Sequence, residues 1–507
     1  MKRKITLVLS AAIFSFSISA QLITNHNTIT QPAVAQPAVG VPFIDPRFNS
    51  TVIRITNAKE SGIPGVFPDY SKHQAWNADE SLMMLRSGNG DVHIYNGVTY
   101  QYIKTFPSSV SGVQDIYWHP TNPQLLYYAM DNTFNIINEL TDEVTVLHTF
   151  PEYATVTTRA EGNMSNDGRY IALCGYDTIW TPIDFLVYDL VLDSVISSLD
   201  VRTHVTEFDW ISISPLGNHV VVDYADKIVG RYHGVEVYDR QFNLVWQKPL
   251  GSGHSDMGLD SDGTEVLIMD VYDDDLNVYY IKKFGLSDSS SITLLTLSQE
   301  YDMHESCRSM SRPGWVYVST FDFVGRLTDD DATWLPFEDE IFALNMDTPG
   351  KVERLAHHHS RRYSPTAFDS GNSIYESEPH ATPNRTGTRI LFGSNWRINI
   401  DSISSVDAYI CNVGSLITSS ENILPENQNG IKISPNPFKT ETTISCNFDL
   451  THANITVYNI LGQSIKSRIN RSGQHATIDR GDMAAGIYYL KVLHNNKSTA
   501  TGKLIAQ

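Results

Sequence analysis

The residues with the clearest capacity for chemistry are Glu378 and His380, in the run Glu-Pro-His, together with His304 in the run MHESCR and His254 in SGHSD. Two residues apart on an extended strand face the same side, so Glu378 and His380 can offer one oxygen and one nitrogen to a single divalent ion. His304 would supply a third ligand from a neighbouring strand. Mixed imidazole and carboxylate donors suit manganese or zinc and, with more oxygens, calcium. His254 belongs to the same constellation. No short fixed spacing such as HExxH ties these residues together, so the pattern needs a fold to converge.

A repeat supplies that fold. A turn of the Ser/Asn-x-Asp-Gly kind follows one short strand and precedes a more apolar one, with copies beginning at Asn77, His119, Ser165, Ser214, Asp260, Ser311 and Thr382. The spacing approximates the roughly 40–50 residues of a four-stranded propeller blade. Seven copies predict an all-β chain with a seven-bladed β-propeller over residues 51–423, followed by a small C-terminal β-sandwich over 424–507. The run TVIRITN at 51–57 is expected to complete the last blade and close the ring. Equivalent positions on the innermost strands would then form a ring: counting four back from each turn gives His73, Asp115, Glu161, Trp210, Asp256, Cys307 and Glu378.

Three basic residues followed by an apolar run from Ile5 to Ile18 read as a cleaved signal peptide at 1–20, and the Pro- and Asn-rich stretch 21–50, with QPAV twice, reads as a linker. The chain of 507 residues carries a formal charge of −20; the signal and the tail from residue 426 are together +7, which leaves −27 on the body. Such a body is a poor ligand for nucleic acid, which is gripped by Lys and Arg. Four scattered cysteines form no CxxC, which argues against a zinc knuckle or a disulfide framework. No G-x-S-x-G, phosphate loop or Cys/His nucleophile signature is present.

The tail carries SPNPF, YNILGQ, GIYYLKV and the closing KLIAQ. In that order these motifs resemble the type A C-terminal sorting domain of the type IX secretion system of Bacteroidetes. The resemblance implies handling by the type IX machinery, with the body released or attached to the cell surface.

The body resembles the seven-bladed propeller polysaccharide lyases, particularly oligogalacturonate lyase. That family has His-Pro-His where this chain has Glu378-Pro379-His380, and a glutamine ligand where Tyr375 stands. The resemblance implies His304 as a further metal ligand and His254 as the catalytic base. It is also similar to the ulvan lyases, which use histidine, tyrosine and arginine; His73, with His93, Tyr70 and Arg159, would serve in that way. The implied activity is β-elimination from a uronate: a cation neutralises the carboxylate, a base takes the adjacent proton, and the linked sugar departs.

Arg308 and Arg397 are the expected carboxylate clamps, Trp396 and Trp210 the expected stacking faces, and His358, in the run His357-His358-His359-Ser360-Arg361-Arg362, an expected grip on an anionic sugar. The acidic triplets at 273–275 and 329–331 are candidate calcium ligands or solvated turns. The expected protein is thus a secreted, monomeric lyase for an acidic polysaccharide or oligosaccharide. The alternatives are a glycoside hydrolase using two of Asp256, Glu161 and Glu378, and a non-catalytic carbohydrate- or protein-binding propeller.

Overall fold

The computed structural model describes residues 22–506, apart from 225–226, 251–252, 323–333, 363–374, 399–401, 414–431, 447, 459–463, 482, 485 and 495–496. The proposed signal at 1–20 and the triplet at 329–331 lie outside the described residues. The chain divides into two compact units, residues 1–417 and 418–507.

The first unit is a seven-bladed propeller of antiparallel sheets. Blade 3 illustrates the pattern: Thr155–Thr157, Tyr170–Tyr176, Pro182–Asp189 and Ser194–Asp200 pair in sequence order. Every residue of Tyr170–Tyr176 is buried, whereas Ser194–Asp200 alternates between exposed and half-buried. Central strands are covered on both faces by adjacent blades, so they lose the polar alternation that a one-sided sheet shows. The cores lie between blades: Ala172, Cys174 and Phe185 of blade 3 pack with Ile211, Val220 and Val222 of blade 4.

Ring closure follows the expected strand. Thr51–Arg54 pairs with Asp407–Asn412, the third strand of blade 7. One further strand, Pro42–Ile44, pairs outside it and makes blade 7 five-stranded. The stretch 21–50 is therefore not a free linker. From Leu22 onward it runs along blades 6 and 7, where its carbonyls meet buried donors: Arg354 donates to the carbonyls of Asn25 and Asn27, and Trp396 to that of Val34. Its Pro and Asn content signals only that it pairs little with itself; side chains of the propeller satisfy its backbone instead.

The second unit, taken by itself, is a sandwich of two four-stranded sheets. Phe438, Ile444, Leu450, Ile455, Val457, Ile478, Leu490, Val492 and Leu504 fill its core. The four cysteines are buried and free.

Candidate metal centre and cavity

His304 sits on the innermost strand of blade 6, Tyr301–Ser306, and is wholly buried. Glu378 and His380 precede the short first strand of blade 7, Thr382–Pro383. They do not converge by strand alternation as expected, because neither lies in a strand. His380 adopts φ 42°, a left-handed conformation that costs a non-glycine residue about 1–3 kcal/mol and that clusters at functional sites. One ligand atom from each of His304, Glu378 and His380 lies within 4.8 Å of the others. His304 Nε2 is 3.4 Å and His380 Nε2 3.9 Å from the Glu378 carboxylate.

Hydrogen-bond accounting tests whether these residues fit a cation. Both nitrogens of His304, the Nδ1 of His380 and both oxygens of Glu378 lack a well-formed hydrogen bond, although the Arg362 guanidinium lies against one Glu378 oxygen. Buried polar groups left in this condition are costly. Two imidazoles and a carboxylate, buried together and turned toward one point, are a donor set that fits a divalent ion.

The protonation states agree. Burial, with the charge of His254, holds His380 down to about 3, and burial holds His304 well below the usual histidine range. Both imidazoles are therefore neutral and free to ligate. Burial raises Glu378 to about 7 against the opposing pull of Arg362 and His254.

His254 opens blade 5 beside this group, its ring 4.0 Å from that of His304. Burial disfavours its charge, but its pairing with Asp302, 3.6 Å away, and the charges of Asp270 and Glu378 outweigh that and push it up to about 9. Above lies a cavity of about 510 Å³ lined by Glu161, Asp209, Lys227, His254, Asp270, Asp274, Asp302, Tyr279 and Tyr375, among others. Five carboxylates against one lysine make this an acidic chamber. Burial drives Asp270 up to about 7, with neighbouring Asp302 adding to the rise and His254 opposing it. The sequence reading passed over Asp302 and Asp270. Asp302 was accessible, because it lies two residues before His304 on one strand and so shares its face; Asp270 comes from a different strand and carries no such signal.

The expected periphery does not assemble here. Arg308 is buried and bidentate to Asp256, at 3.1 and 2.9 Å, and donates again to the Met257 carbonyl. Its charge is consumed within blades 5 and 6, so it is not a carboxylate clamp. Arg397 is ion-paired with Asp339 at 3.1 Å. Trp396 is buried, stacked on His359 and Tyr409, and offers no face to a sugar. His358 is fully buried against the Thr320 carbonyl at 2.8 Å. Trp210 is core as well, with the Lys72 ammonium over its ring.

His73 is buried and bound to Asp69 at 2.6 Å. It faces a second, small cavity of about 40 Å³ rather than the chamber. Tyr70 links the two places, with its ring 5.1 Å from His380, 5.6 Å from His304 and 6.3 Å from His73. Tyr375, at the position where a glutamine was expected, lies 5.0 Å from His380 ring to ring and lines the chamber.

Residues 432–507 match the family model of the secretion system C-terminal sorting domain. The tail is a type IX sorting domain. It addresses the chain through type IX secretion to the cell surface or the extracellular space. Among solved structures, the propeller is similar to an oligogalacturonate lyase in complex with manganese and to the oligogalacturonate lyase of Vibrio parahaemolyticus. Each is 13% identical, with a TM-score of 0.51 over 74% of this chain and 96% of the other. At that identity the likeness establishes the propeller fold and no more. A search of curated protein sequences returned no match.

Proposed function

We propose that this secreted propeller is a metal-dependent lyase acting on a uronate-containing polysaccharide or oligosaccharide. The observation that carries the reading is the buried His304, Glu378 and His380 group, short of hydrogen bonds, with His254 4.0 Å from it at the base of an open chamber. The propeller of the manganese-bound oligogalacturonate lyase supports it as an analogy of fold.

A divalent cation held by His304, Glu378 and His380 would supply a Lewis acid for the uronate carboxylate and, by repulsion between like charges, would favour the neutral form of His254. His254 then takes the proton adjacent to the carboxylate, and Asp302 orients its ring. Asp270, pushed up by burial to about 7, is the carboxyl placed to hold a proton and donate it to the departing oxygen. Lys227 is the lining cation able to meet the carboxylate, in place of Arg308 and Arg397.

The acidic chamber also supports a second reading. A protonated Asp270 near an ionised carboxylate is the arrangement of a glycoside hydrolase. One experiment separates them: purified protein is incubated with a panel of uronate polymers, with and without prior chelation, and ultraviolet absorbance is followed. Elimination leaves an absorbing double bond, and the signal should vanish on chelation. New reducing ends without absorbance would overturn the lyase in favour of the hydrolase, and neither signal in metal-replete protein would leave a binding propeller.

A further inference from the structure

A further cleft of about 260 Å³ lies between blades 2 and 3, lined by Gln114, Met130, Asp131, Thr155, Thr157 and Trp180, among others. Thr157 lines this cleft and Glu161, four residues on, lines the acidic chamber, so the two adjoin across one loop. Hydroxyls, an amide, methyl groups and one aromatic face outnumber the two carboxylates of its lining, of which Asp115 is taken up by hydrogen bonds within its own loop and Asp131 is exposed; such a mixed surface meets a sugar ring.

Trp180 is 61% exposed at the tip of the hairpin that joins the second and third strands of blade 3. It is nonetheless held firmly. Asp177 accepts from the amides of Ile179 and Thr181, the Trp180 amide donates to the Asp177 carbonyl, and the Tyr176 ring lies 5.3 Å from the indole. Trp180 itself adopts φ 61°. A strained, pre-ordered indole that meets the Tyr176 ring and otherwise stays largely solvent-facing fits a binding platform.

Between cleft and chamber runs the loop 157–161, in which Arg159 and Ala160 are consecutive residues at φ 66° and 67°. Asp115 enforces this shape. Its carboxylate accepts from the hydroxyls of Tyr117, Thr157 and Thr158 and from the amides of Thr158 and Ala160. The product is an exposed Arg159 whose guanidinium is 5.9 Å from the Phe208 ring. It interacts electrostatically with Tyr176, under Trp180, and with Asp209, in the chamber wall.

We propose that the cleft is a distal saccharide subsite: one ring of the chain stacks on Trp180, and Arg159 takes the carboxylate of a unit passing from the cleft toward the chamber. The inference rests on the saccharide reading above and adds to it that the substrate is a chain several units long, because a disaccharide held in the chamber would leave Trp180 bare.

The test compares full-length wild type with Trp180→Ala, Trp180→Phe, Arg159→Gln and Arg159→Gly. Binding to hexamers and dimers of galacturonate, guluronate and mannuronate is measured by calorimetry in chelated protein, and cleavage by ultraviolet absorbance in metal-replete protein. For the hexamer that binds, Trp180→Ala should raise the ratio of hexamer to dimer dissociation constants about ten-fold, with Trp180→Phe restoring most of it. Arg159→Gly should weaken hexamer binding while leaving thermal stability equal or higher, since glycine relieves the positive φ; a purely structural arginine would give the reverse. Weakened binding in these variants without any absorbance signal sinks the lyase reading and keeps the subsite. Cleavage with an unchanged length dependence in Trp180→Ala sinks the subsite and keeps the lyase, and a panel in which no hexamer binds overturns the subsite.

Discussion

Two groups of buried histidines, one at the base of the chamber and one at the outer end of blade 6, look alike in composition and differ in what their nitrogens do. In the run His357-His358-His359, His357 Nε2 meets the Ile29 carbonyl at 3.0 Å. His358 meets the Thr320 carbonyl and accepts from the Ser360 amide, and His359 stacks on Trp396. These rings stitch the N-terminal strap and blade 7 to blade 6. Beneath the chamber, His304 Nε2 lies 3.4 Å from the Glu378 carboxylate and neither of its nitrogens makes a hydrogen bond. His357 Nδ1 and His359 Nε2 also lack a partner; what separates the candidate ligand set from the seam is that His304 makes no hydrogen bond on either nitrogen and lies with Glu378 and His380 around one point.

If that comparison holds, the chamber should be expendable for folding and indispensable for activity. Glu378→Ala should lower kcat/KM by about a thousand-fold or more, the equivalent of roughly 4 kcal/mol. It should abolish the bound metal measured by elemental analysis, and the melting temperature should fall little. A large loss of stability with activity retained would reverse the assignment.

The seam should behave in the opposite way. Arg354 is fully buried, ion-paired with Glu340 and donating to two carbonyls of the strap. Removing one partner from such a pair costs about 3–5 kcal/mol, so Arg354→Met should unfold at markedly lower denaturant while the protein that remains folded keeps the kcat of wild type in the proposed reaction. His358→Ala should cost less, about 1–3 kcal/mol for the lost pairing of a buried carbonyl, with kcat/KM within two-fold of wild type.

The smallest effect is in pH. Burial holds His357 and His359 well below the usual histidine range. In the unfolded chain each binds a proton below about 6.5, while in the folded chain it stays neutral, so the unfolded state takes up more protons. Their contribution is full above that pH and is lost as pH falls, by about 1.4 kcal/mol per unit for each ring once well below it. Melting temperature between pH 7 and 5 should fall steeply in wild type and more gently in His359→Phe. Equal slopes would show that other groups dominate.

The blades were readable because each one repeats the same requirement: a strand covered on both faces, then a Gly- or Asp-bearing turn. The closing strand at Thr51–Arg54 was readable for the same reason. Pro42–Ile44 was not, since three residues of a Pro-rich segment carry no period and become a strand only when an unpaired edge is offered. Arg308, Arg397, Trp396 and His358 were chosen for residue type near the expected face; each proved to be satisfied by a neighbour distant in sequence, such as Asp256 for Arg308 and Val34 for Trp396. Trp180 and Asp270 went unnoticed because a tryptophan in a hairpin and an aspartate at the end of an apolar strand are ordinary in isolation.

By itself the sequence determined the number of blades, the address in the tail and the three residues of the candidate metal group, because these depend on patterns repeated or clustered along the chain. The tertiary structure decided which histidines are left without partners, which arginines have charge to spare and that the chamber is acidic. Those properties are set by contacts between blades, where residues tens to hundreds of positions apart neutralise or expose one another, and no local pattern records such a contact.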